Sequence, residues 1–473
     1  MKSKTQLFFA ANAWVQGAWA RDVLLTVGAD GAWSDIKPNA TLPDRRGASV
    51  LEGPVLPGVV NAHSHAFQRA MAGLTEQSAA AGSGVTDDFW SWRDRMYSVA
   101  LRITPRQMES IAALLYAELL AGGYTQVCEF HYLHNAVDGQ AYADPLEMSL
   151  ALVRAAQRVG MGLTLLPTLY MRAGFDSPRL RDDQRRFAST PDSVLRLVEG
   201  VQSQVGDLAG INVGVAVHSL RAADATAIQE VAAFASRNGL AQHIHIAEQM
   251  QEVQDCLAHT GKRPIDLLFE TQRVDARWNL VHATQATAPE LRAVEQSGAS
   301  IVICPGTEAN LGDGVFDYAA YAGIGGHWSI GSDSHVTRRW SEELRLLEYS
   351  QRLTRRKRNV ASQTGDCTST AAALFEAALS GGESATSLAL GGLAVGCRAD
   401  FLVLDMRSAA LLGVPSENLL DALVFSSPDA RFKSVFVAGN QVLAEGSACA
   451  LASEPGPHSG IERDFVDTMK ALF

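Results

Sequence analysis

The sequence predicts an α/β fold in which a TIM-type (β/α)₈ barrel carries a small β-sandwich domain built from both ends of the chain. Three observations predict this architecture. Eight short apolar runs alternate with longer segments of helical periodicity, polar residues follow the ends of these runs, and β-rich segments flank them. We expect residues 1–54 and 391–473 to form the sandwich and a terminal helix, and residues 55–390 to form the barrel.

The N-terminal segment has the pattern of short strands joined by turns. The apolar stretch Val23–Val27 is followed by a turn signal at Gly28–Gly31 and by a second strand candidate, Ala32–Ile36. The first residues faintly resemble a signal peptide, but Asn12 and Gln16 interrupt their apolar region. We therefore interpret this segment as the beginning of the small β-domain.

The barrel is predicted from eight apolar runs with helix-patterned segments between them. In one such segment, Met108–Leu120, apolar residues recur at spacings of three and four, which is typical of an amphipathic helix. Eight strand–helix units predict a (β/α)₈ barrel. The predicted strands are Val55–His65, Tyr124–Tyr132, Gly162–Tyr170, Ile211–Ser219, Gly239–Ala247, Trp278–Thr284, Ser300–Thr307 and His327–His335.

After about residue 390 the pattern returns to β-structure. Ala394–Asp405 reads as a turn followed by a strand, and Val435–Leu443 as a hairpin around Gly439-Asn440. These strands are expected to pair with the N-terminal segment beside the barrel.

Composition and charge exclude several classes of partner. The chain has 473 residues, 47% hydrophobic and 19% charged, which is ample for a large core. Its net charge of −11 is spread along the chain without a basic run, so nucleic acid and anionic membrane surfaces are not expected partners. No apolar run is long enough to span a bilayer. The scattered cysteines, without a Cys-x-x-Cys pair, indicate reduced thiols in a cytoplasmic protein.

A candidate metal site is predicted at the strand ends. His63 and His65 follow the first strand two residues apart, so they point to the same face of an extended chain. His245 ends the fifth strand and Asp333 follows the eighth. Because the active site of such a barrel lies at the carboxyl ends of its strands, these side chains are expected to meet there. Three imidazoles and a carboxylate suit one divalent ion, most simply Zn²⁺, with a water completing its coordination.

Two further polar residues suit proton transfer. A bound ion would lower the pKa of its water from 15.7 toward ~7, and Glu248 would carry a proton from it to a leaving nitrogen. Otherwise Glu248 is a carboxylate at a helix start. His282 is either a ligand of a second metal or a hydrogen-bonding catalytic residue beside Asp333. The fourth strand lacks a bridging carboxylate, which favours one metal, and His243 is assigned to the barrel interior.

Several motifs resemble a known family. The segments Pro57–His65, His245–Glu248, His282 and Ser332-Asp333 resemble the amidohydrolase superfamily, and more narrowly its mononuclear deaminases. Longer segments are similar to the formimidoylglutamate deiminases within that branch: Asn61–Gly73, Phe89–Arg93, Glu129–Tyr132, His218–Ala222, His243–Gln249, Thr307–Gly314 and Gly331–Val336.

The resemblance implies hydrolysis of N-formimidoyl-L-glutamate to N-formyl-L-glutamate and ammonia, in histidine degradation, by a homodimer. Such a substrate has a cationic amidine and two carboxylates. Arg93 and Arg221 suit the carboxylates, because guanidinium forms bidentate, charge-assisted hydrogen bonds. Tyr132 would donate a hydroxyl, and Gln68 and His218 would contact the substrate.

Other interpretations stay open at this point. The site could belong to another mononuclear deaminase acting on a nucleobase or an adenosine-like ring, or the chain could be a non-catalytic scaffold. A single arginine is often a surface ion pair, and Arg69 and Arg95 compete with Arg93 for the substrate role. The segment Gln77–Val85 is longer than expected between the motifs, and as an insertion it would alter a lid or a neighbour contact.

Overall fold

The structure is a computed structural model that describes residues 5–77, 88–206, 208, 210–364, 368–426, 430–444 and 460–473. Of the loop segment Gln77–Val85, all but the first residue lies outside this range. The strands are β1 (Gln6–Val15), β2 (Ala18–Val27), β3 (Trp33–Lys37), β4 (Ser49–Leu51), β5 (Val55–Pro57), β6 (Val59–Ser64), β7 (Tyr124–His131), β8 (Gly162–Leu169), β9 (Ile211–Val213), β10 (Val215–Ser219), β11 (Gln242–Ile246), β12 (Trp278–His282), β13 (Ser300–Ile303), β14 (His327–Ile330), β15 (Phe401–Leu404), β16 (Phe432–Val437) and β17 (Asn440–Leu443).

Helices follow most barrel strands. They are α1 (Phe89–Ala100), α2 (Pro105–Ala121), α3 (Glu147–Val159), α4 (Pro191–Val205), α5 (Ala225–Asn238), α6 (Met250–Thr260), α7 (Pro264–Thr271), α8 (Ala288–Ser297), α9 (Pro305–Leu311), α10 (Tyr318–Ala322), α11 (Trp340–Arg355), α12 (Thr370–Thr386), α13 (Leu419–Phe425) and α14 (Ile461–Leu472). Short 3₁₀ helices lie at Ala66–Met71, Asp182–Phe187, Ala361–Thr364, Ala409–Leu411 and Ser416–Asn418.

Local sequence signals explain where several helices begin and end. Thr104 precedes Pro105 and caps α2 through a reciprocal hydrogen-bond pair with Gln107. The predicted helix Met108–Leu120 is the interior of this helix. Gly160 ends α3 in the left-handed region, at φ 75°, which a residue with a side chain adopts at a cost.

The barrel strands pair in chain order, each parallel to the next: β6, β7, β8, β10, β11, β12, β13 and β14. The backbone of Asp333 bridges the first and last of them. Its N–H donates to the carbonyl of His63 over 3.0 Å, and its carbonyl accepts from the N–H of His65 over 3.3 Å. This near-closed ring of eight parallel strands confirms the predicted barrel.

Four predicted strands are divided or end at least four residues early in the structure, and one of them, the eighth, ends at Ile330 rather than at His335. The first is divided at Gly58, because Val55–Pro57 pairs antiparallel with β15 outside the barrel. The fourth is divided at Gly214 into β9 and β10. The seventh ends at Ile303, because Pro305 occupies the first position of α9, where its fixed φ favours a helix.

The two ends of the chain form one separate eight-stranded sheet. Its order is β17, β16, β15, β5, β1, β2 and β3, with β4 beside β1. The sheet curls, since the ring of Trp33 on β3 lies 5.4 Å from that of Phe401 on β15, although three strands lie between them in the sheet. The hairpin turn is Ala438-Gly439 rather than Gly439-Asn440, because Asn440 already belongs to β17. The sheet takes in Val55–Pro57, so it crosses the proposed boundary at residue 54.

The C-terminal segment also covers the barrel. Helix α14 packs on α2. Beside this contact, Arg158 pairs with Asp464 over 2.9 Å, and Arg69 lies 5.2 Å from the ring of Phe465.

None of the helices in the described residues is long and apolar enough to cross a membrane. The four cysteines in that part of the chain carry free thiols.

Helix α12 packs against the first and last barrel strands through two glycines. A Cβ atom on Gly381 would lie 1.9 Å from the carbonyl oxygen of Trp328 on β14. A Cβ atom on Gly382 would lie 2.8 Å from the Val60 side chain on β6. Helix α12 therefore lies so close to β14 and β6 that neither glycine position has room for a side chain.

We expect Gly381→Ala to lower the free energy of unfolding by about 1–3 kcal/mol, because the added methyl group must displace backbone in a packed core. Urea unfolding followed by circular dichroism measures the change. Gly174→Ala is the control, since a Cβ atom there meets no atom within 4 Å. Equal midpoints for the two variants would contradict the tight packing of α12.

Candidate active site

One pocket lies at the carboxyl ends of the barrel strands and brings the predicted site residues together. Every residue predicted for the site except His63 lines it. Apolar and aromatic side chains of α1 form part of its wall. The lining residues are His65, Gln68, Phe89, Trp92, Arg93, Met96, Tyr97, Tyr132, His218, Arg221, His245, Glu248, His282, Leu311 and Asp333.

Four side chains converge at the base of this pocket. The Nε2 atom of His63 lies 3.1 Å from Nε2 of His65 and 3.0 Å from Nε2 of His245. Oδ1 of Asp333 lies 3.5 Å from Nε2 of His63 and 3.4 Å from Nε2 of His65. The ligand atoms of His63, His65 and Asp333 lie within 4.8 Å of one another, and so do those of His63, His245 and His282. We call His63, His65, His245 and Asp333 the ligand cluster.

In His65 and His245, a hydrogen bond at Nδ1 determines which ring nitrogen carries the proton. Nδ1 of His65 lies 3.0 Å from the carbonyl oxygen of Phe130, and Nδ1 of His245 lies 2.9 Å from that of His218. A carbonyl only accepts, so each Nδ1 carries the hydrogen and each Nε2 presents a lone pair to the cluster. Lone pairs converging at about 3 Å repel one another unless a cation lies between them, so the donor set fits a metal ion.

Burial keeps these imidazoles neutral. It lowers the pKa of His63 to about 3 and also lowers the pKa of His65 and His245. Burial by itself would raise the pKa of Asp333. However, hydrogen bonding to His63 and electrostatic interaction with the neighbouring histidines, His65 and His282 among them, hold that pKa well below its usual range. Neutral imidazole and ionised carboxylate are the forms that bind a metal.

His282 and Glu248 lie beside the cluster. Nε2 of His282 is 3.7 Å from Oε1 of Glu248 and 3.9 Å from Oδ2 of Asp333. Burial raises the pKa of Glu248 to about 7, which suits a group that gains and loses a proton near neutrality. Burial lowers the pKa of His282, but the carboxylates of Glu248, Glu308 and Asp333 outweigh it and raise that pKa to about 10.

A further group of candidate ligands lies on the other side of His282. Its Nδ1 atom, the Cys304 thiol and the Glu308 carboxylate have ligand atoms within 4.8 Å of one another. Burial raises the pKa of the Cys304 thiol well above its usual range, which disfavours the thiolate that a metal requires. This group is therefore a weaker metal site than the ligand cluster. His243 instead places Nε2 2.8 Å from the carbonyl oxygen of Ala385.

The backbone is strained at the strand ends around the site. His282, Ala283 and Asp333 have φ values of 72°, 50° and 47°, in the left-handed region that side chains disfavour. Ala247, two residues after His245, has φ 51°. Such strain persists only where surrounding structure enforces it, and it is concentrated at functional sites.

The outer part of the pocket contains the two guanidinium groups of Arg93 and Arg221. Nε of Arg93 and Nη1 of Arg221 are buried and have no hydrogen-bond partner among the described residues. The Trp90 ring lies 4.4 Å from Cζ of Arg93 and 5.9 Å from Cζ of Arg221. Burial lowers the pKa of Arg93, and the nearby charge of Arg221 lowers it further. Both cations therefore favour an anionic ligand.

The competing arginines bind elsewhere. Nε and Nη2 of Arg69 donate to the two carboxylate oxygens of Glu118 over 2.7 and 2.8 Å. Arg95 donates to the carbonyl oxygen of Thr75 over 3.3 Å. Neither lines the pocket.

Gln68, Tyr132 and His218 lie between the cluster and the arginines. Nε2 of Gln68 donates to the Tyr132 hydroxyl over 3.3 Å, and Oε1 of Gln68 is buried with no partner among the described residues. The ring of Tyr132 lies 5.1 Å from that of His65 and 5.4 Å from that of His218.

The sequence interpretation missed three buried acids near the site: Glu129, Glu308 and Asp313. Burial raises the pKa of Asp313 to about 9, and Gln249 donates to its Oδ1 atom. All three occur in segments that carry the family resemblance. Glu308 also directly follows the predicted strand Ser300–Thr307, but no site role was assigned to it.

Arg172 was also missed, and it supports Arg221. Its guanidinium donates to the carbonyl oxygens of Leu220, Arg221 and Ala223 over 2.9 to 3.1 Å. These three hydrogen bonds therefore fix the turn that carries Arg221.

Comparisons with known proteins agree with this geometry. The sequence profile of the Amidohydrolase family matches residues 55–442. The chain belongs to the amidohydrolase family. It is also 46% identical over 438 residues to formimidoylglutamate deiminase of Pseudomonas aeruginosa, covering 93% of this chain and 94% of that one. The predicted family resemblance is thereby confirmed, and this amidohydrolase is an enzyme of the hydrolase class.

Three further proteins are similar to this chain. The crystal structure of an amidohydrolase from Brucella melitensis superimposes with a TM-score of 0.90 and 38% identity, covering 99% of both chains. An 8-oxoguanine deaminase of Pseudomonas aeruginosa is 27% identical over 308 residues, covering 63% of this amidohydrolase and 64% of that chain. An adenosine deaminase from Xanthomonas campestris, solved with bound zinc, shares the fold with a TM-score of 0.79, 21% identity and 99% and 98% coverage.

Glu129 on β7 fixes the backbone around His65. Its Oε1 atom accepts from the N–H of Ala66 over 2.6 Å. Its Oε2 atom accepts from the hydroxyls of Ser64, over 2.6 Å, and Tyr116, over 3.2 Å. Burial raises its pKa from 4.5 to about 7, although these hydrogen bonds oppose the shift.

We expect the stability of the wild type relative to Glu129→Gln to fall as pH rises from about 5 to about 8. A raised carboxyl pKa in the folded state contributes stability below 4.5 that is lost as pH passes about 7. The loss is of the order of 3 kcal/mol at ~1.4 kcal/mol per pKa unit. Urea unfolding across this pH range measures it, with the exposed Glu230→Gln as control. A pH-independent difference between wild type and Glu129→Gln would refute the assignment.

Proposed function

We propose that this chain hydrolyses N-formimidoyl-L-glutamate to N-formyl-L-glutamate and ammonia, a step of histidine degradation. The observation that carries the proposal is that Arg93 and Arg221 line the same pocket as the ligand cluster, each with a buried nitrogen that has no hydrogen-bond partner among the described residues. The 46% identity to a formimidoylglutamate deiminase supports it.

Arg93 and Arg221 would bind the two carboxylates of the substrate. A buried guanidinium without a counter-ion is costly, and a carboxylate that accepts two hydrogen bonds from it removes that cost. Trp90 stacks near both groups and limits their orientations. The amidine of the bound substrate would then extend toward the ligand cluster.

We propose one divalent metal ion, most simply Zn²⁺, held by Nε2 of His63, His65 and His245 and by the Asp333 carboxylate. When bound, such an ion supplies a Lewis acid that makes water a nucleophile at neutral pH. The backbone carbonyls of Phe130 and His218 keep two of these imidazoles in the tautomer that binds metal.

Glu248 would transfer a proton from the attacking water to the leaving nitrogen. Water adds its oxygen to the amidine carbon, and the Glu248 carboxylate takes the proton from that oxygen. Glu248 then gives that proton to the terminal nitrogen and the carbon–nitrogen bond breaks. The remaining hydroxyl proton passes to the Glu248 carboxylate, so that ammonia leaves and a formyl group remains. His282, with Nε2 3.7 Å from Glu248, would hydrogen-bond to the reacting atoms, and the Asp333 carboxylate would assist at the same side.

The remaining pocket residues would orient the substrate. Gln68 offers its unpartnered Oε1 atom to the amidine N–H groups. Tyr132 and His218 lie beside the path from the arginines to the ligand cluster and would donate to a carboxylate.

We also propose that the chain acts in the cytoplasm as a homodimer and that residues 55–390 carry the chemistry. Every proposed site residue lies between His63 and Asp333, whereas residues 1–54 and 391–473 would support the barrel. Light scattering of the purified chain measures the subunit number.

Arg221→Ala is expected to reduce kcat/KM for N-formimidoyl-L-glutamate by 10²-fold or more, since a charge-assisted bidentate pair contributes about 3 kcal/mol. Ammonia release by metal-loaded protein measures it. Arg237→Ala is the matched control, because Arg237 is exposed on α5 of the same strand–helix unit.

Guanine and adenosine serve as alternative substrates in the same assay. Turnover of either ring compound without turnover of the amidine would exclude the proposed substrate and favour a nucleobase deaminase. No turnover of any of them by metal-loaded protein would favour a non-catalytic scaffold.

Metal analysis of the purified chain should give close to one equivalent of zinc. His245→Ala should lose most of it, because one of four ligands is removed. His243→Asn, on the same strand, should retain it, since His243 contacts the Ala385 carbonyl instead. A content near two equivalents in the wild type would overturn the single-metal proposal.

A further inference from the structure

His282 contacts carboxylates through both ring nitrogens, on opposite sides of its ring. Nε2 faces the pocket, 3.7 Å from Glu248 and 3.9 Å from Asp333. Nδ1 lies 3.3 Å from Oε1 of Glu308, which is only 4% exposed and does not line the pocket. Glu308 therefore acts on the pocket indirectly, through its contact with His282.

The Glu308 carboxylate is held rigidly. It lies in the first turn of α9, which begins with Pro305 directly after β13. Its Oε1 atom also accepts the N–H of Cys304 over 2.9 Å. An oxygen at a helix N-terminus that already accepts a backbone N–H acts as an acceptor toward His282 as well. Nδ1 of His282 must then carry a hydrogen.

We infer that Glu308 is a positioning residue that holds the Nδ1–H group of His282 and so directs Nε2 of the ring into the pocket. Given the proposed function, on which the catalytic part of this inference rests, Nε2 forms a hydrogen bond with the attacking water. A carboxylate that orients an imidazole in this way also stabilises positive charge on the ring, as in the serine hydrolase triad.

The alternative role of Glu308 is to cap helix α9. A comparison with Glu343 distinguishes this role from the positioning of His282. Glu343 is fully buried, and its Oε2 atom accepts the N–H of Gly306 over 2.8 Å in the same turn. Its other oxygen accepts from the Thr337 hydroxyl. Both glutamates thus bind backbone N–H groups at the start of α9, but only Glu308 contacts His282. Glu343→Gln is therefore a matched control for Glu308→Gln.

The kinetic test compares these two variants in the metal-loaded enzyme. Glu308→Gln should lower kcat for ammonia release by about 10²-fold, the range of a misplaced acid–base group, with little change in KM. Its zinc content should equal that of the wild type. Glu343→Gln should lower the melting temperature and keep kcat. A wild-type kcat in Glu308→Gln, or an equal loss in both variants, would overturn the inference.

A second readout requires no turnover. Nitrogen-15 NMR of histidine-labelled, zinc-loaded protein distinguishes the two tautomers, with His282→Asn identifying the signal. We expect His282 to be protonated at Nδ1 in the wild type and to shift toward Nε2–H in Glu308→Gln. Glu308→Asp, which withdraws the carboxylate by one methylene group, replaces the glutamine variant if that one does not fold.

The outcomes separate this inference from the proposed function. An Nε2–H tautomer in the wild type would overturn the role of Glu308, whatever substrate is turned over. Absence of ammonia release from N-formimidoyl-L-glutamate by the wild type would overturn the proposed function, and the tautomer of His282 would still decide the role of Glu308.

Discussion

The backbone pairing of Asp333 with the first barrel strand is the constraint on which the site depends. Two hydrogen bonds, to the carbonyl of His63 and from the N–H of His65, join the end of the eighth strand to the first. The same residues supply three of the four side chains of the ligand cluster. Barrel closure and cluster geometry are thus consequences of one local pairing, and the left-handed backbone of Asp333 belongs to it.

Neighbouring strands orient the remaining parts of the cluster. The imidazoles of His65 and His245 are each held by a backbone carbonyl of an adjacent strand, at Phe130 and His218. Glu129 adds hydrogen bonds to the residues on either side of His65. The register of the sheet therefore determines the positions of the ligand atoms. Burial away from water keeps the imidazoles neutral.

The parts of this site that sequence could predict follow from strand periodicity. His63 and His65 share a face because they are two residues apart after an apolar run, and His245 and Asp333 end later runs. The contact of Glu308 with His282 was not predicted, because it depends on where α9 begins and on how close its first turn lies to the end of β12. Likewise the division at Gly58 depends on pairing with β15, more than three hundred residues later, which no local pattern indicates.

The distance along the chain between these ligands affects how the protein matures. His63 and Asp333 are joined only after the eighth strand has emerged from the ribosome and docked beside the first. The hydrogen bonds that join them use backbone atoms alone, so the ring can form before any ion arrives. The complete ligand cluster therefore exists only after the barrel has closed.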